Sequence, residues 1–184
     1  MKIRPFDALK LDVEAFANAA GHLEGQWPLA NFDRITEEIP PEAVDAASEP
    51  VQWSLDGEKR PARGALPETW LHLTAKTSLA MECQRCLQPV AVPLDIASSF
   101  RFVHDEATAE ALDADSEEDI LVLERSMNAR LLIEDELLLA LPVVALHDEC
   151  PEPLPVPEDG VPGEEDVKPN AFASLAALKR GGAN

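Results

Sequence analysis

Residues 71–81, LHLTAKTSLAM, set Leu71, Leu73, Ala75, Thr77, Leu79 and Met81 on one side of an extended chain and His72, Thr74, Lys76 and Ser78 on the other. A period of two over this length reads as a strand with one buried face. The pattern returns in Val90, Val92, Leu94 and Ile96 and runs on to Phe100 and Phe102. Two such strands, 69–82 and 89–103, joined across the short stretch between them, predict an antiparallel hairpin. Pro89 and Pro93 predict that its second strand has an edge or a bulge, because proline cannot donate to a ladder.

Working outward, Val51, Trp53 and Leu55 alternate before Asp56-Gly57, a turn signal that closes a strand over 51–56. Residues 23–35, with Trp27, Leu29 and Phe32 among polar neighbours, read as a further strand, and Ile120 to Leu123 mark one over 119–125. Val13, Phe16 and Ala17 recur at helical spacing, predicting a helix near 8–19 that stops at Gly21. A second helix is expected over 128–141, with Asn128 as N-cap, Ile133, Leu137 and Leu141 on its apolar face, and Pro142 ending it. The fold class expected is therefore α+β: a twisted antiparallel sheet, closed in barrel-like fashion, with two helices covering it. Residues 1–150 form this single domain, interrupted by a solvated acidic loop at 104–119. Residues 151–169 read as an acidic, proline-rich linker. Residues 170–184 hold a small C-terminal helix, with Phe172, Leu175 and Leu178 on one side and Gly181-Gly182 as its stop. That helix either docks on a partner or packs back on its own chain.

The chain has 184 residues, 46% of them hydrophobic, enough to build a core and outside the composition of a disordered chain. Its apolar runs fall far short of the roughly 20 residues that a bilayer requires, so no membrane span is expected. The first twenty residues carry Asp7, Asp12 and Glu14 and lack the apolar core of a secretory signal. Three cysteines make a poor disulfide framework and point to a reducing cytoplasm. Lys and Arg number 15 against 35 Asp and Glu, a net charge of −20. Such a surface excludes general nucleic-acid binding by the whole molecule. The charge is concentrated: residues 102–167 contain 20 acids and only Arg125 and Arg130 as bases, while the rest carries 15 acids and 13 bases. A nearly neutral body thus bears one acidic half, suited to a basic protein partner, while local RNA contact through the body stays open.

All three cysteines fall in two short motifs, Cys83-Gln84-Arg85-Cys86 at the hairpin tip and His147-Asp148-Glu149-Cys150 after the second helix. A two-residue gap lets both side chains of a turn reach one ion, so Cys83, Cys86, His147 and Cys150 make a candidate Cys3His set for tetrahedral Zn2+. Arg85 would offset the added negative charge. Two other readings fit the same residues: turn cysteines and a surface histidine holding no metal, and a redox dithiol. The redox reading is the weakest, because this C-x-x-C joins two strands and does not open a helix. His72 reads as a solvated side chain on a polar strand face, and Glu134, Asp135 and Glu136 as the wet side of a helix. His22 and His104 have no acid or nucleophile at a diagnostic spacing. No phosphate-binding loop, dinucleotide fingerprint, serine elbow or zinc-protease motif occurs, and nine aromatics without a tyrosine leave little for a base-stacking platform. The residues support no enzyme.

Three blocks in order, ECQRC (82–86), IEDELLLALPVVALHDEC (133–150) and KPNAFASLAALKR (168–180), are similar to the bacterial YceD family, named for large ribosomal RNA subunit accumulation. The helix with its PVV and HD motifs, together with the KPN-x-F tail, is the specific part. The resemblance implies a non-enzymatic, cytoplasmic ribosome biogenesis factor acting in the synthesis, processing or stability of 23S rRNA. Its implied partners are the large-subunit precursor or its RNA, and a basic ribosomal protein, since the family's gene often neighbours one for a small zinc-ribbon protein of that subunit. The family supplies no catalytic residues. Residues Arg85, Lys168, Lys179 and Arg180 are the candidates to face precursor RNA or the ribosomal surface, and the acidic 102–167 stretch is the candidate for a basic protein. Two alternatives follow from the charge and the cysteines: an acidic protein-only chaperone for a basic ribosomal protein, and a zinc or redox sensor tied to ribosome production.

Overall fold

The computed structural model describes residues 6–39, 49–62, 64, 66–114, 116 and 118–151. The chain divides into two units, residues 1–152 and 153–184. The expected linker beyond Pro151 and the C-terminal helix lie outside the described residues.

Five strands form one sheet in the order β1-β2-β3-β4-β5: β1 His22–Trp27, β2 Val51–Arg60, β3 Glu68–Glu82, β4 Pro89–Val103 and β5 Asp119–Val122. The expected hairpin is its centre. β3 and β4 pair antiparallel along nearly their full length, placing Leu71 opposite Phe100, Ala75 opposite Ile96 and Leu79 opposite Val92 on the buried face. Over residues 89–99, β4 has β3 on one side and no described strand on the other, the edge setting that Pro93 demands.

Two features of the sheet depart from expectation. It is mixed, because β5 runs parallel to β4, and it stays open, with β1 and β5 as its edges, instead of closing into a barrel. The parallel pairing follows from one element. The acidic stretch read as a loop contains a helix, α3 (Glu106–Asp113), whose N-cap Asp105 accepts the Thr108 amide at 2.9 Å. Its alanines favour the helix despite their small apolar content. A helical crossover returns the chain parallel to β4, where a loop would have allowed a hairpin.

β2 also runs through Asp56-Gly57 to Arg60. Gly57 is present for closeness and not for a turn: a Cβ there would lie 2.7 Å from Phe16 Cδ1 and 2.9 Å from the Ala17 backbone. The first helix, α1 (Val13–Asn18), capped by Asp12, therefore rests directly on β2. It is shorter than the 8–19 span expected, residues Ala8–Lys10 forming a separate 3-10 turn. The strand expected over 23–35 ends at Trp27, because Pro28 cannot continue it. Leu29–Asn31 then make a 3-10 turn and Asp33–Glu37 a short helix, α2. Finally α4 (Ala129–Leu139) begins at Asn128, whose side chain accepts the Arg130 amide at 3.1 Å, as the sequence indicated. Ile133 and Leu137 of α4 join Phe16, Phe32, Leu55, Leu73 and Leu79 in one core. Among the described residues, four helices therefore accompany the sheet, and the α+β class stands.

The three carboxylates of α4 are not a uniformly wet face. Glu134 is 4% exposed; its Oε1 accepts the amides of Arg34 (2.8 Å) and Ile35 (3.4 Å), and its Oε2 faces the Arg34 guanidinium at 3.3 Å. It supplies from across the core the acceptor that the first turn of α2 lacks locally. Glu136 accepts the Ser98 hydroxyl, and exposed Asp135 pairs with Arg34. His72, expected to be solvated, is part-buried between Ser99 and Glu58, with 2.8 Å contacts to both.

Candidate metal centre

Cys83 to Cys86 form the turn between β3 and β4. The Cys83 amide donates to the Gln88 carbonyl at 2.9 Å and the Leu87 amide to the Cys83 carbonyl at 2.8 Å, closing the turn on itself. Leu87 takes a left-handed conformation, φ 61°, to let the chain double back. The segment after α4 is fixed to this tip by the Gln84 amide, which donates to the Ala145 carbonyl at 3.0 Å. That one strand-like contact brings His147 and Cys150 over the hairpin turn, more than sixty residues from it in the chain.

The four expected ligands converge. One sulfur or ring nitrogen from each of Cys83, Cys86, His147 and Cys150 lies within 4.8 Å of every other. Cys83 and Cys150 sulfurs are 3.9 Å apart, and Cys86 Sγ lies 3.4 Å from His147 Nδ1. Four ligands placed tetrahedrally at ordinary zinc bond lengths would be about 3.8 Å apart between sulfurs and about 3.5 Å between sulfur and nitrogen. All three cysteines are free thiols, with Cys83 and Cys86 buried.

The ligand protonation states are prepared as well. His147 Nε2 lies 3.0 Å from the Pro89 carbonyl, which can only accept, so Nε2 carries the proton and the Nδ1 lone pair turns inward. Burial raises the Cys83 pKa, but the amides of His147, Arg85 and Cys86 and the His147 ring outweigh it, bringing it to about 5. Burial pushes the Cys86 thiol up, and its two neighbouring cysteines add to this. Arg85 closes the cluster: its Nε donates to Cys150 Sγ at 2.9 Å and its Nη2 to the carbonyls of His147 (2.8 Å) and Asp148 (3.2 Å). Contact with Cys150 in turn holds the Arg85 pKa above its usual value. Three thiolates and a neutral imidazole around a divalent ion leave one negative charge, which Arg85 sits to balance. The cluster is compatible with metal binding.

Arg85 is thus turned into the site, with Nε and Nη2 occupied, while Lys168, Lys179 and Arg180 lie outside the described residues. Sequence reasoning missed the Pro89 carbonyl and the left-handed Leu87. Neither has a residue-type signal, since any residue offers a carbonyl and leucine does not advertise a positive φ.

The sequence profile described as "Large ribosomal RNA subunit accumulation protein YceD" matches residues 71–179, more than half of the chain. The chain belongs to the YceD family. The match begins within β3, so it covers both halves of the Cys3His cluster and the hairpin that carries the first. The YceD description names accumulation of the large-subunit ribosomal RNA and no enzymatic activity, which gives this chain a role in that accumulation. No solved structure matches. Among the described residues, no helix is long and apolar enough to cross a membrane.

Proposed function

We propose that this chain is a non-enzymatic, cytoplasmic factor that supports 23S rRNA during large-subunit assembly, and that it does so chiefly through a basic protein partner. The observation that carries the role is the YceD match over residues 71–179. Charge supports the protein route. Of the nine described cations of the body, Arg34, Lys59, Arg60, Lys76 and Arg101 are held in ion pairs with carboxylates of the same chain and Arg85 is turned into the cysteine cluster, which leaves Lys10, Arg125 and Arg130. A phosphate backbone needs cations that are free to replace its counterions. Lys168, Lys179 and Arg180 of the tail are the residues assigned to the precursor RNA or the ribosomal surface.

Within this reading Cys83, Cys86, Cys150 and His147, through Nδ1, hold Zn2+. The ion supplies a cross-link between the β3–β4 tip and the segment after α4, added to the Gln84, Arg85 and Pro89 contacts that already join them. The ligand set is closed by four protein atoms, the arrangement of a structural and not a catalytic zinc.

Sedimentation of the tagged chain from a lysate, with RNA and protein identified in each fraction, tests the role. Travel with immature large subunits carrying 23S precursor is expected. Residence at the top of the gradient with a free basic ribosomal protein would favour the chaperone reading, and residence there alone would remove both. Metal analysis of protein purified without chelator tests the zinc: about one equivalent per chain is expected, and well under one removes it.

A further inference from the structure

A cleft of about 500 Å³ opens between α3, β5 and α4, at the far edge of the sheet from β1. Its floor is apolar, formed by Phe102, Ile120, Val122 and Leu131. Leu131 is 50% exposed and lines the cleft, so its surface is held toward the cleft and not into the core, where Ile133 and Leu137 of the same helix lie. β5 is the outermost strand of the sheet, so no described strand covers its outer edge.

The rim is acidic. Glu106 and Glu124 flank the floor, and Glu110 and Asp113 continue the same charge along α3. Asp135 also lines the cleft but is matched by Arg34 at 2.7 Å, so it adds little net charge. Residues 104–124 contain nine acids and no Lys or Arg, Arg125 being the first base to follow. Among the described residues, Glu106, Glu110, Asp113 and Glu124 have no ion-pair partner, whereas Glu14, Glu58, Glu68 and Asp95 elsewhere on the body each answer a cation of the same chain.

We propose that this cleft is the docking groove for a basic amphipathic segment of a protein partner. An apolar strip of the segment covers Leu131 and the β5 side chains, and its Lys or Arg residues lie against Glu106 and Glu124. Exposed apolar surface with a single-sign rim selects a partner of opposite charge and steers its approach. A nucleic acid fits neither half of the groove: the rim repels phosphate, and the floor has no exposed aromatic ring on which to stack a base. The proposal rests on the reading that the chain works through a basic protein, and it names the surface that would do so.

The test uses the full chain and a labelled synthetic peptide of alternating Leu and Lys blocks, with a Leu/Glu peptide as control. Fluorescence anisotropy at low salt should register binding of the Lys peptide alone. The double variant Glu106→Lys/Glu124→Lys should weaken it about tenfold or more, since it reverses the local field. Leu131→Ser should weaken it several-fold at unchanged charge, and it alters a half-exposed side chain that the fold does not need. Glu24→Lys/Glu38→Lys, an equal change of charge at exposed residues outside the groove, should leave it within about twofold. Equal losses in both double variants would reduce the effect to net charge and overturn the proposal, as would indifference to Leu131→Ser. Concentration-dependent dimers abolished by Leu131→Ser would assign the groove to a second copy and overturn it too. Normal 23S rRNA in cells lacking the chain, with groove binding intact, would remove the ribosomal reading and leave the groove standing.

Discussion

Glu134→Ala removes an acceptor that four donors share. The carboxylate side chain is 5% exposed, whereas the Arg34 side chain is 48% exposed and keeps a 2.7 Å contact to Asp135. The guanidinium can therefore turn to water and to Asp135, and its loss is small. The amides cannot turn. Ile35 is fully buried and the Arg34 amide makes the shortest bond to Glu134, 2.8 Å, so both N–H groups are left without an acceptor in the first turn of α2. One charge-assisted bond contributes about 1.5–3 kcal/mol and an orphaned buried amide costs about 1–3 kcal/mol. Allowing for partial relaxation of a five-residue helix, a loss of about 3 kcal/mol is expected, in the lower range for breaking a buried pair. For a chain of this length that corresponds to a fall in melting temperature of roughly 6–12 °C. Glu134→Gln keeps one oxygen for the amides but turns an NH2 toward the guanidinium, and should fall between. Asp135→Ala breaks only an exposed pair and should cost under about 1 kcal/mol. Thermal and urea unfolding of the three variants measure this directly. Equal effects of Glu134→Ala and Asp135→Ala would refute the remote-cap reasoning.

Removing the metal by chelation, or by Cys86→Ser, should lower the melting temperature and release about one zinc per chain to a chromophoric indicator. Arg85→Ala should keep the fold but weaken zinc retention about 10–100-fold in competition with that indicator, as loss of a group supporting the ligands does. Gly57→Ala drives a methyl group into Phe16 and the α1 backbone, and denaturant melts should show a loss of about 1–3 kcal/mol. The His22 pKa is raised above 6.5 by its hydrogen bond to Asp56 and by that carboxylate's charge. The small stability this pair adds is present below the unfolded pKa and fades as pH rises through the folded one. An NMR titration should place the His22 midpoint above 6.5, and Asp56→Asn should bring it down.

The β3–β4 hairpin was legible because both of its strands bury one face, so alternation and core coincide. Asn128 was legible because a cap acts within three residues of itself. Reading failed where the cause lies far off in the chain. Asp56-Gly57 looks like a turn until Phe16 is known to press on Gly57. Glu134 looks wet until α2, a hundred residues earlier, is known to need its carboxylate. The helix α3 was hidden by composition: alanine favours helix but adds little apolar signal, and the acids around it suggest solvent. The Cys3His cluster was legible in its residue types and in the spacing within each pair. What brings the pairs together, the Gln84 to Ala145 contact between backbones, carries no residue code. Arg85 shows the same division, since its proximity to the cysteines could be read but its grip on the His147 and Asp148 carbonyls could not.

The most direct measurement is the ratio of mature 23S to 16S rRNA in cells depleted of this chain, then supplied with the wild type or with the Cys83→Ser/Cys86→Ser variant. The ratio should fall on depletion, recover fully with the wild type and recover poorly with the variant. An unchanged ratio on depletion would contradict the role in 23S rRNA accumulation. Full rescue by the variant would contradict the part given to the Cys3His cluster.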